Sequence, residues 1–92
     1  MLAAFAALLC GCGPALYTAG IRSAELKLQS ARDENARWYA PYEYYFAEAN
    51  LQQAREEAAQ ASYEDAIRYA KTARDYSERA LEITRQRRKA ER

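Results

Sequence analysis

The sequence predicts an all-α protein, an antiparallel three-helix bundle with alanine-rich seams behind an N-terminal signal peptide. Three observations carry that prediction. Small and apolar residues recur at alternating four- and three-residue spacing. Alanine supplies most of the 50% hydrophobic content, and no valine occurs anywhere. The chain has 29% charged residues and only three glycines, a composition that favours helices packed closely through small side chains. At 92 residues it forms one small domain at most, burying about 60 to 65% of the surface its unfolded chain exposes. The core is therefore expected to be thin.

Residues 1–21 carry no charged side chain, a length that would suit a membrane-spanning helix. Gly11, Gly13 and Pro14 interrupt the run, and the preceding LAAFAALL has the length of a secretory hydrophobic region, too short to span. Leu9-Cys10-Gly11-Cys12 resembles a bacterial lipobox. That resemblance implies removal of residues 1–11 as a lipoprotein signal peptide, a domain of residues 12–92, and lipidation at Cys12. Cys10 fits less well, since Leu9 stands where a small residue is wanted. No Lys or Arg precedes the apolar run, which predicts an initiation codon upstream of Met1. Two other readings of the segment stay open: an uncleaved membrane anchor, and redox or metal use of the C-x-C pair. A zinc site needs three or four ligands, and the chain has no histidine and no further cysteine.

The first helix, about 15–38, places Tyr17, Ile21, Ala24, Leu28, Ala31, Asn35 and Trp38 on one face. Ala40-Pro41 ends it, because the residue before proline is pushed out of the helical region. Pro41 suits the first turn of a second helix, about 41–61, with Glu43 near its positive end. The seam of that helix is Tyr44, Ala47, Leu51, Ala54, Ala58 and Ala61. Ser62 has the character of an N-cap, with Asp65 at the capping-box position of a third helix, about 63–89. There the seam is Ala66, Ala70, Ala73, Ser77, Ala80 and Thr84, almost wholly small, and short connections make neighbouring helices antiparallel.

AELKLQSARDENA (24–36) and AEANLQQAREEAA (47–59) match at eight positions with an offset of 23. Such repeats point to helical arrays, and the last two helices resemble a tetratricopeptide hairpin at Ala54, Ala61, Tyr63, Ala66, Ile67, Ala70 and Ala73. Residues 12–84 as a whole resemble a family of small bacterial lipoproteins of uncharacterised function, with a three-helix domain. The resemblance rests on the Tyr39-Ala40-Pro41-Tyr42-Glu43 joint and on Tyr63 to Ala66. It implies a lipid-anchored, periplasm-facing protein at the outer membrane, with no catalytic residue to carry over.

WYAPYEYYF, residues 38–46, holds six of the eleven aromatic residues. They can fill the first helix joint or form a platform for sugar rings or a partner peptide. Successive residues point different ways, so Trp38, Tyr42, Tyr45 and Phe46 are the candidate contact residues. The tail RQRRKAER (85–92) carries a net +4, against −3 for residues 22–84. Cations at a helix C-terminus favour its dipole, and a lipoprotein beyond the inner membrane meets no nucleic acid. The sequence offers no nucleophile beside a base, no glycine-rich phosphate loop and no metal cluster, so no catalytic, cofactor-binding or metal-ligating residue is assigned. A non-catalytic scaffold with envelope proteins as partners is the leading expectation, and a glycan- or peptide-binding module the alternative. Peptidoglycan is a second class of partner, and a homodimer through the alanine seams a third.

Overall fold

The computed structural model describes the backbone of residues 2–92 and the side chains of residues 13–92. It is all-α, with no strand among the described residues: α1 spans Leu2–Asp33, α2 Ala36–Tyr39, α3 Pro41–Ala59 and α4 Tyr63–Glu91. Glu25 meets Arg55 while Arg32 meets Glu48, so α3 runs back along α1. Tyr17 meets Tyr63, Lys27 meets Glu78 and Glu34 meets Arg85, so α4 runs beside α1 in the same direction. Both α1 and α3 pack extensively on α4, while α1 and α3 touch each other much less. The radius of gyration is 16.2 Å, against about 12 Å for a compact domain of this length.

The core follows the small-residue spacing. Ala24, Ala31, Ala47, Ala54, Ala66, Ala70, Ala73 and Ala80 are all buried, with Ile21, Leu28, Leu51, Leu81 and Tyr44 as the larger members. Ser77, buried in the α4 seam, donates to the Ala73 carbonyl at 2.8 Å, whereas the equally buried Thr84 hydroxyl has no partner. Within the chain these buried alanines are covered by the neighbouring helices, while Ala58 of the α3 seam is half-buried.

Four boundaries differ from the sequence reading, each for a local reason. First, Asn35 breaks the expected 15–38 helix by adopting a left-handed conformation (φ 68°, ψ 36°), which asparagine tolerates better than most residues. The break shifts the register, so Ala36 and Ala40 turn inward in place of Asn35 and Trp38. Second, α1 does not begin at 15; its bounds are Leu2–Asp33 with Pro14 inside. Gly13 serves there as a close-approach residue, since a Cβ at that position would lie 3.4 Å from Tyr63 Cβ.

Third, α3 stops at Ala59, and Ala61 lies exposed instead of joining the seam. Ala61 takes φ 61°, with its N–H bonded to the Ala58 carbonyl and the Ser62 N–H to the Glu57 carbonyl. This is a Schellman closure with alanine where glycine is usual. Ala61→Gly removes a left-handed penalty of about 1 kcal/mol. The variant is expected to gain roughly that much stability in urea unfolding followed by circular dichroism. Fourth, Ser62 occupies the N-cap of α4 but its side chain makes no capping bond. Asp65 instead pairs with Arg68 at 2.9 Å, so no capping box forms, and α4 continues to Glu91.

Candidate functional site

The aromatic joint is where large side chains meet solvent. The register shift at Asn35 leaves Trp38 on the outer side of α2 with 74% of its surface exposed. Packing at the joint therefore falls to Ala36, Ala40 and Tyr44, not to Trp38. Pro41 starts α3 at its first turn and sets Tyr42 and Phe46 one above the other, four residues apart on an outer face. Tyr42 is 68% exposed, Tyr45 51% and Phe46 37%, whereas Tyr44 is wholly buried.

Of the exposed rings, Tyr42 and Phe46 form a row, and Trp38 and Tyr45 stand apart from it. Tyr42 stacks on Phe46 with centroids 6.0 Å apart and planes 18° from parallel. Phe46 continues the row across to α4, meeting Tyr76 at 4.4 Å, and the Arg79 guanidinium lies 4.6 Å from the Tyr76 ring centre. Tyr45 stands edge-on against Tyr44 at 5.1 Å. Tyr76 and Arg79 were not identifiable from sequence, because only the α3–α4 register brings residues 30 apart together at Phe46. Locally they read as a seam-flanking tyrosine and an i, i+4 partner of Asp75, which pairs with Arg74 instead. Such a ladder offers flat apolar faces, hydroxyl edges and one cation, suited to sugar rings or aromatic peptide side chains.

Beside it, the basic tail is part of the fold. Arg85 donates to both oxygens of Glu34, at 3.1 and 2.7 Å, and Arg88 adds a longer pair at 3.6 Å. Arg88 also donates to the Glu34 carbonyl and Arg87 to the Tyr39 carbonyl, satisfying backbone acceptors at the ends of α1 and α2. The Tyr39 hydroxyl donates to Glu91 at 2.7 Å while Arg88 lies over the Tyr39 ring. The last two turns of α4 thus lock the joint that presents Trp38.

The hydrogen bond from Arg85, together with its charge and that of Arg88, holds the Glu34 carboxyl below its ordinary 4.5, although desolvation acts in the opposite sense. A pKa depressed by folding gives stabilisation that is present above the unfolded value and lost as pH falls through the folded one. Acidification below 4.5 is therefore expected to lower amide-exchange protection in residues 85–91 before the seams open. Arg85→Ala should show the low protection already at neutral pH and little further change on acidification.

A groove of about 310 Å³ lies between α1 and α3, with a floor formed by Leu28 and Leu51. The carboxylates along it are paired with arginines. Among the described residues no group of three or more His, Cys, Asp or Glu side chains could hold a metal ion, and no helix is long and apolar enough to cross a membrane. The side chains of Cys10 and Cys12 lie outside the described residues.

Compared with known proteins, residues 19–92 match the family described as a domain of unknown function, DUF4398. The matched segment contains the last part of α1 and all of α2, α3 and α4. No curated protein and no solved structure matches the chain.

Proposed function

The chain belongs to the DUF4398 family, and from that premise we propose a lipid-anchored cell-envelope module that acts by contact and not by catalysis. In this reading residues 1–11 are removed, Cys12 carries the lipid, and the helical domain faces the periplasm from the outer membrane. The three long helices then serve as one antiparallel bundle, a scaffold offered to envelope proteins.

One observation supports the contact role above the rest. The core is built mostly from alanines, while Trp38, Tyr42, Tyr45 and Phe46 stand exposed, and Tyr42 and Phe46 continue into Tyr76. Large aromatics left in water offer area for a partner to bury, and Trp and Tyr supply it at small entropic cost. Because the tail of α4 fixes the joint from behind, the surface is preorganised. The ring row also favours a second reading, a glycan- or peptide-binding module, since Tyr42 and Phe46 present stacked faces with Arg79 at the far end.

The anchor is tested by intact-mass spectrometry of membranes from cells making the full chain, beside Cys12→Ser and Cys10→Ser variants. Acylated protein beginning at Cys12, lost only in the Cys12 variant, is the expected result; an unmodified chain retaining Met1 sinks the reading. The contact surface is tested with Trp38 fluorescence. Peptidoglycan fragments or peptides that shift its emission favour the binding module, whereas crosslinks to envelope proteins without such a shift favour the scaffold. Trp38→Ala should leave stability within about 0.5 kcal/mol, as for exposed sites in general, while reducing whichever signal is found.

A further inference from the structure

The α1–α3 groove has a symmetry that comes from the internal repeat. Glu25, Leu28 and Arg32 on α1 correspond, 23 positions on, to Glu48, Leu51 and Arg55 on α3. Because α3 runs against α1, the two copies are related by a pseudo-twofold axis perpendicular to the groove. Glu25 pairs with Arg55 at one end (3.1 Å) and Arg32 with Glu48 at the other (3.9 Å), all four side chains being about half exposed or somewhat less. The groove is therefore bounded by charges that alternate in sign at its four corners, over a leucine floor.

An alternating square of charges is complementary to itself. Laid face to face about a twofold axis in the plane of the patch, whether along or across the groove, every glutamate of one copy meets an arginine of the other. We propose that this face binds a second copy of the chain, closing the groove and converting each exposed pair into a four-membered ring of alternating charge. The twofold axis runs along the groove, setting α1 of one copy against α3 of its partner. That choice of axis rests on the lipid-anchor reading, because it alone keeps both N-termini at the same end, as two chains in one membrane require. The dimer itself does not depend on the anchor. Isolated exposed ion pairs contribute little, but rings and complementary patterns fix partner and register.

The test uses the full chain and sedimentation velocity from about 1 μM to about 1 mM, the range spanned by weak to moderate association. The wild-type protein should dimerise within that range; a monomer throughout overturns the proposal. Glu25→Gln with Glu48→Gln leaves only arginines at the corners, and Arg32→Gln with Arg55→Gln leaves only glutamates. Each double variant should self-associate at least about tenfold more weakly than wild type, and mixing the two should restore a heterodimer. Unchanged self-association, or no heterodimer on mixing, overturns the proposal, provided circular dichroism shows both variants helical.

A second variant tests the axis while keeping each internal pair. Glu25→Arg with Arg55→Glu leaves opposite charges facing each other for an axis along the groove, but sets like charges together for an axis across it. Retained dimerisation supports the assigned axis, and its loss assigns the other. A wild-type monomer accompanied by acylation at Cys12 would sink the dimer alone, and a dimer without acylation would sink the anchor alone.

Discussion

Tyr44→Ala is expected to cost about 3 to 5 kcal/mol, the range for emptying a fully buried aromatic site, and so to consume much or all of the stability of a chain of this length. Among the described residues Tyr44 is the largest wholly buried side chain, at 0% exposure, in a core made mostly of alanines and a few aliphatics. It sits where the start of α3 meets the end of α1, and its hydroxyl accepts a hydrogen bond from Arg32 Nε at 2.9 Å. Removing the ring leaves a cavity term on top of the lost transfer free energy, because a close-packed core relaxes only in part. A chain of 92 residues has about 5 to 14 kcal/mol of total stability to lose. Tyr44→Phe separates the two contributions: it keeps the ring and removes only the acceptor of a partly exposed arginine, a loss of about 0.5 to 1.5 kcal/mol. Urea unfolding of both variants followed at 222 nm checks the pair, and equal losses would show that the hydrogen bond, not the ring, dominates.

The same residue shows what the sequence made legible. Tyr44, Ala47, Leu51 and Ala54 fall on one face because a heptad-like spacing of small residues admits only one buried stripe, and they are buried. Pro41 marks the start of α3 because proline fits the first turn and little else in a helix. The breaks were harder to see. Asn35 continues the 4-3 spacing and is equally able to take left-handed dihedrals, so nothing nearby distinguishes a helix that continues from one that stops and restarts. That single ambiguity decided whether Trp38 faced the core or water. Ala61 was illegible for the opposite reason: alanine carries no left-handed signal, and the Schellman closure depends on two backbone bonds, not on a side chain.

Long-range pairing accounts for the rest. The acidic partner of the basic tail is Glu34, 51 residues from Arg85, and its pairing depends on α4 running parallel to α1. The aromatic row needed the α3–α4 register to bring Phe46 to Tyr76. By contrast the charged corners of the α1–α3 groove were encoded in the repeat. Reversing the direction of one copy of AELKLQSAR against AEANLQQAR places each glutamate opposite an arginine.

The second large effect is expected at the α4 seam. Ala70 is wholly buried between α1 and α4, and a Cβ added at Gly20 would lie 3.9 Å from the Ala70 Cβ. Ala70→Leu introduces three further carbons into that approach, and the two long helices must separate or tilt to admit them. Overpacking of this kind costs about 1 to 3 kcal/mol, with the upper end expected because both helices are long and rigid on either side of the contact. Gly20→Ala alone behaves differently. The distance is an ordinary van der Waals contact, and replacing glycine in a helix interior gains roughly 0.5 to 1 kcal/mol, so the single variant should be more stable than wild type. Combined, the two substitutions compete for one gap. The double variant should fall below the sum of the singles by about 1 kcal/mol or more, the coupling expected of residues in contact. Additive behaviour in a thermal or urea double-mutant cycle would mean that α1 and α4 do not meet at Gly20 and Ala70, and the parallel packing of those helices would have to be redrawn.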